Sequence, residues 1–310
     1  MFSTLLRGIP LACSVTVLAL ATTSGAARAC SICSSDDPLV AAGDSSPNVG
    51  RLRLALSFSR VTASARSDDD PSATERISRI TLTPTLVYSP SARLNTVLSV
   101  PLIDNRYSAR GPNEQLSATL DGLGDVEFGV RYFAWVDLDI EARRRQDLAV
   151  SAGTSLPTGR NDASQRNGER WDEHAQIGRG AFGPYVGVLY AFHEDPWNFT
   201  FDGAFRVFSE NHYRYRYGIA TLGNVALQVR LADRLALYTG LGGRYAARDR
   251  EAGEAQENTG GFVLQAMPGT LLRLADHCWL QARIEIPFVT RLFGEQTLGP
   301  TYWAALQWAE

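Results

Sequence analysis

From about Gly50 onward the chain alternates apolar and polar residues with a period of two, the signature of strands with one oily face. The run RLRLALSFS sets Leu52, Leu54, Leu56 and Phe58 against Arg51, Arg53, Ala55 and Ser57. GLGDVEFGVRYFAW does the same with bulkier groups: Val126, Phe128, Val130 and Tyr132 oppose Glu127, Gly129, Arg131 and Phe133. Comparable runs follow around Leu148–Leu156, Phe182–Phe192, Phe199–Val207, Tyr217–Val229, Leu235–Tyr245, Phe262–Leu272, Leu280–Phe288 and Tyr302–Trp308. Together with runs near Ile80–Tyr88 and Thr96–Leu102, the pattern predicts about twelve strands of roughly 9 to 11 residues, the length of a tilted membrane-crossing strand.

The links between these runs alternate in length. Long polar links are read near SARSDDDPSATER, DNRYSARGPNEQLSATLDG, TGRNDASQRNGERWDEHA, SENHYRYR and ARDREAGEAQENT; SPSA, DLDIEARRR, HEDP, LADR and LADH are short. An up-and-down antiparallel barrel places alternate links at opposite ends, with short turns in the periplasm and long loops outside. The expected fold is therefore an all-β, up-and-down transmembrane β-barrel of about 12 strands with both termini periplasmic.

A soluble sandwich would show the same alternation, with its oily faces packed together. Two features favour lipid. Arginine is nearly absent from the apolar faces, where it would cost about 2–4 kcal/mol at mid-bilayer. Aromatics fall near strand ends, as interfacial girdles require: Tyr88, Tyr132, Trp135, Tyr190, Trp197, Tyr213, Tyr215, Tyr217, Tyr245, Trp303 and Trp308. The aromatic final strand suits outer-membrane lipid and the barrel-assembly machinery as partners. The polar faces would then surround a lumen, lined by Glu127, Arg131, Asp202, Arg206, Arg230, Arg244, Arg283 and Glu285. Those groups can brace the barrel by pairing, or line a solute path.

The ends and composition narrow the setting. Met1 to Ala29 carries Arg7, an apolar stretch and a closing Ala27-Arg28-Ala29, and reads as a signal peptide over residues 1–29. Residues 30–48 form a periplasmic leader and 49–310 the barrel, in the outer membrane of a Gram-negative bacterium. Net charge is −3, too small in magnitude to suggest a nucleic-acid partner, and none is expected; the basic residues are all arginine, which by itself points to no function. In the leader, Cys30 and Cys33 make a C-x-x-C without the histidine of a haem motif. A local disulfide, metal capture with Asp36 and Asp37, or lipid attachment at Cys30 all fit.

The elements GLGD (Gly122 to Asp125), LPTG (Leu156 to Gly159) and GRG (Gly178 to Gly180), with the late IPFVTRLFGEQTLGP, give the chain a resemblance to the outer-membrane transporters of the meta-pathway phenol-degradation family. That resemblance implies passage of small, often aromatic or hydrophobic molecules. The residues themselves show no G-x-S-x-G elbow and no H-E-x-x-H. His174, His193, His212 and His277 all fall in or beside links, and no enzyme activity and no cofactor are expected. The leading expectation is a passive channel for a small-molecule solute. The alternative is a closed structural or binding barrel whose leader docks a periplasmic redox or metal partner.

Overall fold

The computed structural model describes residues 49–66, 74–110, 115–165 and 168–309; the expected signal peptide and the leader with Cys30 and Cys33 lie outside the described residues. Twelve antiparallel strands follow one another around a closed barrel. They are β1 (Leu52–Arg66), β2 (Thr74–Ser91), β3 (Leu94–Ser99, resuming at Leu102–Arg110) and β4 (Gln115–Leu123, resuming at Glu127–Asp139). Then come β5 (Arg144–Ser155), β6 (Gly183–Glu194), β7 (Trp197–Arg206), β8 (Ala220–Ala232) and β9 (Leu235–Ala246). The last three are β10 (Gly261–Ala266, resuming at Gly269–Ala275), β11 (Cys278–Leu292) and β12 (Thr301–Ala309). Each pairs with its chain neighbour, and β1 pairs with β12 from Arg53↔Ala309 to Arg60↔Tyr302, which closes the cylinder and removes both sheet edges.

The alternation becomes inside and outside. On β4, Phe128 and Tyr132 are each 46% exposed on the outer surface, whereas Glu127, Arg131 and Phe133 face inward at 9%, 6% and 0%. The same phase puts Leu54, Leu56, Phe58, Leu98, Val188, Phe201, Val225, Leu241 and Ile286 outside. These residues make an apolar belt that water would penalise and acyl chains would cover. The short connections, among them Ala92-Arg93, Asp195-Pro196, Asp233-Arg234 and Asp276-His277, lie at one end, and the long ones, 156–182, 207–219, 247–260 and 293–300, at the other.

Two readings of the sequence are corrected. Segments taken as long links carry strand: β1 runs to Arg66, β2 begins at Thr74, and Leu102–Arg110 pairs with Gln115–Leu123 as a hairpin. Their outward positions are hydroxyl and charged groups such as Ser78, Arg106 and Thr119, so the oily face that announces a strand is missing. The phase also slips at Gly124-Asp125: Leu116, Ala118 and Leu120 pack inward before the break, and Glu127 and Arg131 point inward after it. Second, Tyr215, Tyr217 and Trp303 do not belong to an aromatic girdle. They are buried at 5%, 8% and 4% in contacts within the protein, whereas Tyr88, Trp135, Trp197, Tyr245 and Trp308 are exposed as expected.

Val188, near the middle of β6, tests the outward assignment. Val188→Arg is expected to lower the folding stability of the barrel in lipid vesicles by about 2–4 kcal/mol, and Val188→Leu to leave it nearly unchanged. Urea titration followed by heat-modifiable gel migration would read both.

Candidate functional site

Polar side chains on the lumen face pair along one strand, between neighbouring strands, or over a few strands of the wall. Arg206 of β7 reaches across to Glu127 of β4 and grips it with two parallel bonds, Nη1–Oε1 at 2.5 Å and Nη2–Oε2 at 3.0 Å. Its guanidinium also lies 4.9 Å from the ring centre of Tyr185. That ring crosses the wall laterally: Gly129 and Gly153 are opposite one another on β4 and β5, Gly153 faces Tyr185 on β6, and the ring reaches Val87 and Val97 beyond them. A Cβ at either glycine would collide with the Tyr185 hydroxyl, so only glycine leaves the ring its track.

On β11, Arg283 donates to Glu285 (Nε–Oε1 3.0 Å), Gln265 of β10 donates to the other carboxylate oxygen at 2.9 Å, and the guanidinium stacks 4.0 Å above Trp303. Asp202 accepts a bond from Asn224 at 2.8 Å. Arg131 and Arg244 also lie on the inward face. Arg230 sits apart from these: it is exposed at the short-turn rim, paired with Asp195. Of the expected lumen residues, the structure brings together Glu127 with Arg206 and Arg283 with Glu285, and places Arg230 at the edge.

The larger feature was not legible as a site. The loop of residues 156–182 is pinned at both ends to the break in β4. Asp125 accepts the backbone N–H groups of Gly159 at 3.0 Å and Arg179 at 2.8 Å. The Thr158 hydroxyl donates to the Gly124 carbonyl at 3.0 Å and accepts the Val126 N–H at 2.8 Å. Gly178 rests directly on the Gly159 backbone, where any side chain would clash. GLGD, LPTG and GRG, far apart in sequence, are thus the parts of one clamp.

From that clamp the loop reaches over the mouth. Arg79 of β2 donates to the carbonyls of His174 and Gln176, and Asn105 of β3 to that of Ala175 at 2.7 Å. On the far side Glu173 accepts from Asn211 at 2.8 Å and from the Tyr217 hydroxyl at 2.9 Å, both in the β7–β8 loop, and from Arg170 at 2.5 Å. Tyr215 donates to Asp249 of the β9–β10 loop at 2.8 Å and lies 3.5 Å from His174 Nε2. A chain of buried polar contacts therefore spans from β2 and β3 to the β7–β10 side. Beside it, Val61 and Ala63 of β1 pack in one buried cluster with Ala220, Ala246 and Val263 of β8 to β10.

Burial pushes the Glu173 and Asp249 carboxyls above their ordinary values, and the Tyr215 and Tyr217 hydroxyls well above theirs. Burial alone would lower His174, but Asp172, Asp249, Glu75 and Glu173 outweigh it and hold the imidazole above its ordinary 6.5. These groups bind protons more tightly in the bridge than in a released loop. Their stabilisation is complete below the released-state values and is lost as pH rises through the raised ones. Amide protection of residues 171–177, corrected for intrinsic exchange, should therefore fall as pH is raised from the acid range past that of the raised imidazole. Replacing His174 with Gln should flatten the upper part of that profile. Asp125→Ala strands two N–H groups, at a cost of about 1–3 kcal/mol for each, and should lower protection of residues 156–165 and 168–182 at every pH.

With this geometry in view, the comparisons are specific. A family model described as "Putative MetA-pathway of phenol degradation" matches residues 35–265. No curated protein sequence matches. The fold is similar to that of an outer membrane channel from Pseudomonas putida F1, with 15% identity and a TM-score of 0.64, covering 86% of this chain and 98% of that one. It also aligns with the translocator domain of the autotransporter NalP from Neisseria meningitidis (12% identity, TM-score 0.44, 87% and 92% covered). The beta domain of the Bordetella autotransporter BrkA aligns at 12% identity and a TM-score of 0.45, with 84% and 100% covered. The likeness to the Pseudomonas channel identifies the architecture as that of an outer-membrane β-barrel. Because the family match spans most of its length, the chain belongs to the MetA-pathway phenol-degradation family.

Proposed function

We propose that the protein is a passive outer-membrane channel for small molecules, aromatic or hydrophobic ones included, and that it is not an enzyme. Residues 1–29 direct export, residues 30–48 form a leader, and the barrel follows. The short turns and both termini face the periplasm, and the long loops face the cell exterior. The observation that carries this reading is an apolar outer belt around an interior of charged, hydroxyl and aromatic groups, with the exit at one end crossed by a pinned loop. The similar structure from Pseudomonas putida is named a channel, which supports passage, and the family is named for phenol degradation, which supports the solute class.

Glu127, Arg131, Asp202, Arg206, Arg244, Arg283 and Glu285 line the path in this reading, with Arg230 at its periplasmic rim. Arginine stacked on Tyr185 and Trp303 leaves aromatic faces and guanidinium planes side by side, a surface that suits a polarisable ring by cation-π contact. Movement through the lumen requires the bridge over the mouth to open, since the described contacts there join both sides.

A second reading is favoured by the internal pairing of the lumen charges: a closed barrel whose Cys30/Cys33 leader docks a periplasmic redox or metal partner. Planar-bilayer recording separates the two. A channel gives discrete conductance steps, unaltered when both cysteines are replaced. A closed barrel gives none at any voltage, and loses partner capture on the same replacement. Glu127→Gln removes the anion held by Arg206 and should shift the permeability ratio toward anions by a few-fold, read from reversal potentials in a salt gradient.

A further inference from the structure

One sector of the outer surface differs from the rest. Phe58, Leu82, Leu102 and Leu123 stand in register across β1 to β4, all on the outward face and all exposed. Beyond this row, toward the long-loop end, the outward positions turn polar and carry three arginines at successive heights. Arg60 lies in the next outward row, level with Ile80 and Asp104. Arg106 lies one row further, level with Ser78 and Thr119. Arg76 lies one row beyond that, level with Ser108. At about 3.4 Å per residue the three stand roughly 7, 14 and 20 Å past the apolar row along the strands, and somewhat less in height because barrel strands tilt. On β7, β9 and β12 the outward residues near the same end are Phe205, Tyr245 and Tyr302, which carry no charge, and on β11 Phe288 is followed by a single exposed arginine, Arg291, at the strand's end.

Two aspartates, Asp104 and Asp121, face each other across β3 and β4 in the lowest of these rows. Arg106 contacts Asp104 at 3.4 Å, with its own side chain 66% exposed. A contact that long and that wet contributes little and leaves the guanidinium able to turn to a stronger acceptor. A phosphate is such an acceptor, since a guanidinium can grip two of its oxygens at once. Hydroxyls of Ser78, Thr119 and Ser108 lie between the arginines as further donors.

We propose that this sector is a docking surface for a phosphorylated glycolipid of the outer leaflet. Its acyl chains lie on the row from Phe58 to Leu123, and its headgroup phosphates meet Arg60, Arg106 and Arg76. The proposal rests on the orientation given above, with the long loops outside. The apolar row and the basic steps above it match such a lipid in order: chains first, then phosphates, moving away from the membrane centre.

The test uses the full mature chain in detergent, with correct folding checked by heat-modifiable migration. Native mass spectrometry would follow incubation with a bis-phosphorylated lipid A, with the same lipid stripped of phosphate, and with inorganic phosphate alone. The wild type should retain the phosphorylated lipid and neither of the other two. The combined R60Q/R76Q/R106Q variant should lose retention about tenfold to a hundredfold, while R143Q/R234Q/R273Q at the opposite end retains it. Equal retention by both variants, or of the stripped lipid, would overturn the proposal, and binding of phosphate alone would show a free-anion site instead. Labelling of a cysteine placed at Ala252 on whole cells checks the orientation separately. If that residue is unreachable from outside while the arginine-dependent retention persists, the outer-leaflet assignment and the orientation fail together, and the channel reading stands.

Discussion

The closure of β12 onto β1 is the constraint on which the rest depends. In lipid, a backbone N–H or carbonyl without a partner costs several kcal/mol, so a sheet can cross a bilayer only if it has no edge. Eight consecutive register pairs, from Arg53↔Ala309 to Arg60↔Tyr302, supply that closure here. Once the cylinder is closed, the period of two has only one consequence. Every second residue meets the surroundings and every other one meets the lumen, which is why Phe128 and Glu127, adjacent in sequence, occupy opposite environments.

A narrow interior then has to satisfy what it encloses. Glu127 is held by Arg206, and Glu285 by Arg283 and Gln265, so these buried carboxylates sit in bonded, charge-compensated settings. The mouth is organised by similar means. Asp125 ties the two ends of one loop to the break in β4, and the loop between those ties carries Glu173 and His174 across to partners on three other segments. If the barrel conducts as proposed, the pairs that stiffen the wall are also the charges a solute would meet.

Much of the architecture was legible because it rests on a local signal. Strand phase, strand number and the division into short and long connections are all recorded in alternation and in the spacing of polar segments. The hairpin of Leu102–Arg110 with Gln115–Leu123 was hidden because its outer face carries Arg106, Ser117 and Thr119, with no oily stripe to mark it. Tyr215, Tyr217 and Trp303 were misplaced because an aromatic at a strand end looks the same whether it meets a lipid headgroup, a buried carboxylate or, for Trp303, a buried guanidinium. The bridge over the mouth depends on contacts between residues as distant as Asn105 and Ala175, or Tyr215 and Asp249, which no window along the chain can register. Its one sequence trace was the trio of glycine motifs, visible as motifs but without the geometry that joins them.

The most direct measurement is the environment of successive side chains along β4. Spin labels placed one at a time at Val126, Glu127, Phe128, Val130, Arg131 and Tyr132, leaving Gly129 intact beneath the Tyr185 ring, would be probed in vesicles with a lipid-soluble and a water-soluble relaxant. A lipid-embedded barrel requires the two accessibilities to oscillate out of phase, with oxygen favoured at Phe128, Val130 and Tyr132 and the aqueous reagent at Glu127 and Arg131. Equal access of the aqueous reagent to both sets, or protection of the oily set from both reagents in a detergent-free soluble protein, would contradict it.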